Sequence, residues 1–391
     1  MKALSCQRDL FELPNELHYL NCAFMAPLSK RVLTAGHKAL QKLQTPNLLE
    51  PDDFFADSDI VRSLFARLIG SGDKDRIAII PSVSYAMATV AQNTPLHAGQ
   101  NIVVASEQFP SNIYPWKRMC TAFDAEMRTV HPVNVGTNRS ATWTEAILDS
   151  IDERTALIAI PELHWTDGTR FNLKNISEKG RSYGARLVID GTQSIGASPF
   201  DVTDIRPDAL ICAGYKWLTG PYSLGLAYFG PIFDNGIPLE ENWITRQNSE
   251  KFSDLVSYQS EYQPSAVRYD VGERSNFILL PMLKAGLEQI LEWGAPRIQD
   301  YCFKLTESSV AELGDLGCQI ESNAWRREHL FGIRLPPQVT PSMLSGKLES
   351  HNVRVSFRGD VVRVAPYLYN NHEDMNSLLL AVRSAITDPE Q

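Results

Sequence analysis

The sequence predicts an α/β protein: a mostly parallel sheet flanked by helices, followed by a smaller α/β unit towards the C-terminus. Three observations carry this expectation. Short apolar runs recur between about residues 76 and 230, separated by helix-like stretches. The runs are apolar throughout rather than alternating, as in strands covered on both faces. A chain of 391 residues is also long enough to bury one large core and a second, smaller one.

In chain order the runs are Ile77–Ile80, Ile102–Ala105, Ala156–Ile160, Leu187–Ile189, Ala209–Cys212 and Leu224–Tyr228. A helical stretch from about Phe277 to Leu313 is interrupted by Gly294-Ala295-Pro296, which should break or kink it. Beyond it the pattern predicts a strand at Leu330–Leu335, a helix opened by Pro341-Ser342, strands at Val353–Ser356 and Val361–Val364, and a last helix from Glu373. The expected division is a large domain over 18–280 and a small one over 281–391 joined by 1–17. No internal repeat or low-complexity segment is visible.

Composition narrows the function classes. The net charge is −9 and no basic stripe stands out, which argues against nucleic acid or an anionic membrane as partner. The six cysteines lie far apart with no C-x-x-C pair, so neither a metal framework nor a disulfide scaffold is expected. The start of the chain lacks the apolar run of a signal peptide, and no stretch reaches the roughly 18 apolar residues of a membrane span. A reducing cytoplasm is the expected compartment.

In open α/β sheets ligands bind beyond the carboxyl ends of the strands. Asp190 ends the run Leu187–Ile189, with Gln193 three residues on, and Lys216 follows the next run. A carboxylate and an amine distant in sequence are thereby placed to flank one small ligand. Singly, Asp190 reads as a cap and Lys216 as a solvated loop residue.

Together they form a pattern. Asp-Gly-x-Gln-Ser-x-Gly at 190–196, then Gly-Tyr-Lys-Trp at 214–217 with Gly220-Pro221 and Gly225, resembles the pyridoxal 5′-phosphate (PLP) site of the class V aminotransferase and cysteine desulfurase superfamily. The resemblance implies the seven-stranded sheet of PLP-dependent transferases. It also implies that Lys216 forms a Schiff base with the cofactor, Asp190 pairs with the pyridine nitrogen and Gln193 contacts the phenolic oxygen, with Tyr215 in the same pocket. The chemistry is coherent. A lysine in apolar or cationic surroundings is a nucleophile and proton shuttle near neutral pH. A buried carboxylate keeps the ring nitrogen protonated, so that the ring draws electrons from the substrate Cα.

Other residues join by the same resemblance. Ser84, with the Val83 amide, opens a helix after Ile77–Ile80 and suits a phosphate. Phe109 stands where desulfurases stack a histidine on the ring; it can stack but cannot transfer a proton. In His164-Trp165 either residue, Trp165 first, is expected to face the cofactor or to pack behind it. The segment 268–276 resembles one that reaches the phosphate of a neighbouring subunit, Ser275 being the choice, which implies a homodimer with composite sites. Arg363 is the expected anchor for a substrate carboxylate, with Arg354 or Arg358 as seconds.

The expected function is a class V aminotransferase acting on an amino acid, with a keto acid as second substrate. The alternative is a PLP-dependent lyase or epimerase like the kynureninase, hercynylcysteine lyase or isopenicillin N epimerase relatives. Cysteine desulfuration is disfavoured because His351–Val362 contains no cysteine. A nicotinamide dehydrogenase is disfavoured because no G-x-G-x-x-G follows a predicted strand. A non-catalytic relative is disfavoured by the joint presence of Asp190, Gln193, Lys216 and Arg363.

Overall fold

A computed structural model describes residues 3–133 and 138–387. The chain opens with β1 (His18–Tyr19), α1 (Lys30–Leu43) and α2 (Ala56–Leu68). It then alternates through β2 (Ile77–Ile80), α3 (Val83–Gln92), β3 (Asn101–Ala105), α4 (Tyr114–Phe123), β4 (Glu126–Val130), α5 (Arg139–Asp149) and β5 (Thr155–Pro161). Next come α6 (Leu173–Ser182), β6 (Arg186–Asp190), α7 (Val202–Ile205), β7 (Ala209–Ala213) and β8 (Gly225–Phe229). Helices α8 (Leu279–Trp293) and α9 (Ala295–Asp315) lead to β9 (Phe331–Arg334), α10 (Pro341–Ser350), β10 (Val353–Arg354), β11 (Ser356–Arg358), β12 (Val361–Val364) and α11 (His372–Thr387).

The central sheet has seven strands in the order β2-β8-β7-β6-β5-β3-β4. Its pairings are parallel except those of β8, which runs antiparallel to both β2 and β7. All six apolar runs are strands of this sheet. Their uniform hydrophobicity has a direct cause: consecutive residues face different cores. Ile77 and Ile79 join Phe65, Val103, Ile158 and Leu226 on one face, while Ala78 and Ile80 join Met87, Val90, Val104 and Ala159 on the other. Each such side chain contributes about 1.5–3 kcal/mol on burial. The seventh strand, β4, is an edge strand whose first four residues are exposed or half-buried, so its sequence Glu-Met-Arg-Thr-Val carries no apolar run.

Helices α8 and α9 are separated as expected. Gly294 takes φ +76°, and Ala295-Pro296 begin the next helix, where a proline costs no hydrogen bond. Strands β11, β12 and β9 form an antiparallel sheet whose core includes Leu305, Ile333, Leu344, Val364 and Leu378. The predicted strand Val353–Ser356 divides into β10, which pairs in parallel with β1, and β11, which pairs with β12.

The N-terminal segment bridges the two sheets. Leu20 and Cys22 exchange backbone hydrogen bonds with Ala365, and further on the Ala26 N–H donates to the Tyr215 carbonyl at 3.0 Å. Residues 20–26 are thus laid across the carboxyl end of β7. Among the described residues no helix is long and apolar enough to cross a membrane, no group of three or more His, Cys, Asp and Glu is placed to hold a metal, and all six cysteines are free.

Candidate active site

Beyond the carboxyl ends of β2, β6 and β7 lies a cavity of about 260 Å³. Lys216, Asp190, Gln193, Ser84, Phe109 and Trp165 line it, together with Val83 and Tyr215. Eight of the residues singled out in the sequence therefore meet in one place.

Asp190 ends β6 and is buried. Burial pushes its carboxyl above the ordinary range, against the pull of Thr192 and of Lys216. Its Oδ1 accepts the Thr192 N–H at 3.0 Å, and the Thr192 hydroxyl oxygen accepts the Ala213 N–H at 3.2 Å, which ties the ends of β6 and β7 together. The turn that follows is closed by Gly196. It takes φ +104°, and a Cβ there would lie 2.2 Å from the Trp217 carbonyl oxygen, so no side chain fits.

Gln193 is held from three sides. Its Nε2 donates to the Ala23 carbonyl at 3.2 Å, its Oε1 accepts the Trp217 indole N–H at 3.0 Å, and its own carbonyl accepts from His329 Nε2 at 2.9 Å. Burial pushes the His329 imidazole down to about 3, so it is neutral and its Nδ1 accepts from Gln299. One amide hydrogen of Gln193 is left without an assigned acceptor.

Lys216 is 7% exposed. Burial and the neighbouring Arg363 and Arg358 lower its amine to about 8, partly opposed by Asp190. Its Nζ lies 5.6 Å from the ring centres of both Phe109 and Tyr215. Also lining the cavity, Ser82 caps α3 by accepting the Tyr85 N–H, and the hydroxyls of Ser82 and Ser84 are 2.9 Å apart. The first N–H groups of the helix have no intrahelical acceptor and face outward from its start.

Phe109 and Trp165 form one wall, edge to face with ring centres 5.5 Å apart. The Trp165 indole N–H donates to the Glu107 carbonyl at 2.6 Å. His164 does not line the cavity: it is wholly buried behind it, bound to Thr166 Oγ1 and to the Ser106 carbonyl, against the Trp143 ring. Arg363, on β12, is 1% exposed and donates to the Trp165 carbonyl at 2.8 Å. Arg354 is exposed on β10 and outside the cavity lining. Ser275 lies elsewhere too, bonded to the Phe54 carbonyl beside a second concavity lined by α1 and α8. Its neighbour Arg274 is engaged in a buried ion cluster with Asp270 and Arg62.

Thr192 and Tyr222 line the cavity without having been singled out. The signal for Thr192 was its place between Gly191 and Gln193 within the motif. Tyr222, whose ring centre is 4.5 Å from that of Tyr215, directly follows Gly220-Pro221.

A mostly parallel seven-stranded sheet with a lysine and an acid on adjacent strand ends is the architecture of PLP-dependent transferases. A family model for aminotransferase class-V matches residues 50–378, and the chain belongs to that family. It is therefore a PLP-dependent enzyme. Among curated relatives, an uncharacterized aminotransferase, YcbU, of Bacillus subtilis (strain 168) is 25% identical over 320 residues, 81% of each chain. A cysteine desulfurase of Enterobacter sp. (strain 638) is 24% identical over 259 residues, 66% of this chain and 61% of the relative. Among solved structures, apo cysteine desulfurase from Thermococcus onnurineus NA1 superposes with a TM-score of 0.81 at 18% identity, covering 97% of this chain and 98% of that one. The cystine C-S lyase C-DES in complex with its reaction product cysteine persulfide gives 0.80 at 19% identity, covering 94% and 98%. At these identities the likeness is one of fold.

Proposed function

We propose that the protein is an aminotransferase that takes the amino group of an amino acid, with Lys216 as the residue that captures PLP. One observation carries the reading: a buried amine of lowered pKa, a buried carboxylate and a helix N-terminus line the same small cavity. The residues fit the group. Asp190 faces the place of a ring nitrogen, and a cation there reverses the burial effect that raises its pKa. The amides of Val83 and Ser84 and the Ser84 hydroxyl suit a phosphate dianion. The unassigned Gln193 N–H suits a phenolic oxygen, and Phe109 offers a stacking face.

When bound, the cofactor supplies an electron sink for the substrate Cα. Asp190 holds a proton on the ring nitrogen. Lys216 would hold and move the proton at the substrate Cα. Phe109 and Trp165 screen that proton from water. Arg363 binds the α-carboxylate: it is buried, its Nε has no partner, and burial and Arg358 lower it to about 9, so a carboxylate relieves a cost already present.

Ser275, outside its own chain's cavity, is assigned to the phosphate of a second copy in a homodimer. The free cysteines agree with a reducing cytoplasm. Desulfuration is a poor match. The cysteine nearest in influence to Lys216 is Cys22, which is wholly buried with its thiol pushed far up, so it remains a thiol. A second reading, elimination or epimerisation at Cα, uses the same Lys216 and is kept open by the C-S lyase among the similar folds.

Adding amino acids to the holoenzyme separates the readings. Transfer converts its absorbance to that of pyridoxamine phosphate with release of the matching keto acid. Pyruvate with ammonia or a thiol, and an unchanged cofactor, contradicts transfer in favour of elimination.

The reading also sets a pH dependence. The neutral amine is the nucleophile, so the rate at which apoprotein captures PLP rises with pH through about 8 and levels off above about 9. Stopped-flow absorbance measures this. A rate still climbing tenfold per unit at pH 10 contradicts it.

A further inference from the structure

We propose that the substrate carries a second acidic group on its side chain, bound by Arg358 while Arg363 binds the α-carboxylate. This rests on the reading of the Lys216 cavity as an amino acid site and names the substrate class for it.

The argument starts from strand register. Ser356 of β11 lies opposite Arg363 of β12, and Arg358 lies opposite Val361. Opposed residues share a face, as do residues two apart on one strand. Arg358 and Arg363 therefore project from the same face as diagonal neighbours, roughly 7–8 Å apart. Arg354, on β10, belongs to another pairing.

Both guanidiniums lie against Trp165, just outside the residues that line the cavity. Arg363 donates to the Trp165 carbonyl, and the Arg358 Cζ sits 5.1 Å from the centre of the Trp165 ring. Trp165 in turn lines the cavity with Lys216. The two cations also act on Lys216 and on each other, lowering the Lys216 amine and the Arg363 guanidinium.

Neither arginine has an acid to balance it. Among the described residues no carboxylate stands within ion-pair distance of Arg358 or Arg363, and the Nε of each is enclosed without a hydrogen-bond partner. Among the described residues the one hydrogen bond of Arg358 runs to the adjacent Phe357 carbonyl, at 2.6 Å. Asp360, in the turn between the strands, is exposed and makes no ion pair with it. Two adjacent guanidiniums left unmatched by the protein leave room for two anionic groups. An amino acid with a neutral side chain brings one; a dicarboxylic amino acid brings both, at a separation its short methylene chain can span.

The test uses purified holoenzyme and compares glutamate and aspartate with glutamine, asparagine and alanine, in wild type, Arg358→Gln and Arg358→Lys. Wild type is expected to favour an acid over its amide by roughly 30-fold or more in kcat/KM, the scale of losing one partner of an enclosed charge pair. Arg358→Gln should bring that ratio close to one, chiefly through KM, and weaken binding of maleate, a dicarboxylate without an amino group, read by titration of the cofactor absorbance. Arg358→Lys, which keeps the charge but loses the fork, should retain part of the preference. Amides handled as well as acids by wild type, or an unchanged ratio in Arg358→Gln, overturns the inference while leaving the Lys216 site intact. If no amino acid perturbs the cofactor absorbance, the underlying reading fails and this one with it.

Discussion

Lys216→Ala is expected to leave a folded protein that no longer holds its cofactor covalently and turns over on the order of 10⁴-fold more slowly. Two losses combine. Among the described residues the amine is the only lysine lining the cavity, and its neutral form is abundant near pH 8, whereas an ordinary lysine is half neutral only near 10.5. The same amine then moves the proton at Cα, and removing a positioned acid–base group alone costs about 10²–10⁴ in rate. Folding should survive, because the deleted charge is one that burial and two guanidiniums already disfavour. Thermal melting checks the fold, visible absorbance the attachment and steady-state kinetics the rate. Activity within tenfold of wild type contradicts the assignment.

Asp190→Asn is the second large effect, expected to lower kcat by about 10²–10³, the scale of removing one electrostatic group aimed at developing charge. Asparagine keeps the oxygen that accepts the Thr192 N–H, so the turn and the link through Thr192 to Ala213 persist. What is lost is the negative charge that holds a proton on the ring nitrogen. The cofactor should still bind through Lys216 and the start of α3, which separates a loss of chemistry from a loss of binding. Holoenzyme absorbance measures the second, single-turnover kinetics the first. A kcat above a third of wild type contradicts the role.

Much of the sheet could be read from the chain because its strands are covered on both sides, and double burial leaves an unbroken apolar run. β4 escaped for the complementary reason: at the sheet edge its polar residues face solvent. The antiparallel direction of β8 leaves no mark in composition, since its residues are buried like those of the sheet's parallel strands. The break at Gly294 was legible because glycine and proline act locally. The division of Val353–Ser356 was not, since it depends on pairing with β1 from the far end of the chain.

The site shows the same contrast. Asp190, Gln193 and Lys216 lie within 27 residues on adjacent strand ends, so a linear motif marks them. The sequence favours Arg354 over Arg358 as the second arginine, and the register corrects this: Arg354 pairs through β10 with β1, while β11 against β12 puts Arg358 on the face of Arg363. His164 and Trp165 are neighbours in sequence, yet only Trp165 lines the cavity, because His164 is drawn inward by Thr166 and the Ser106 carbonyl.

The most direct test of the account is borohydride reduction of the holoenzyme followed by peptide mass spectrometry. The expected result is a single pyridoxyl adduct on the peptide containing Lys216, absent when Lys216 is alanine. An adduct on another lysine, or none on a protein that binds PLP and is active, would contradict it.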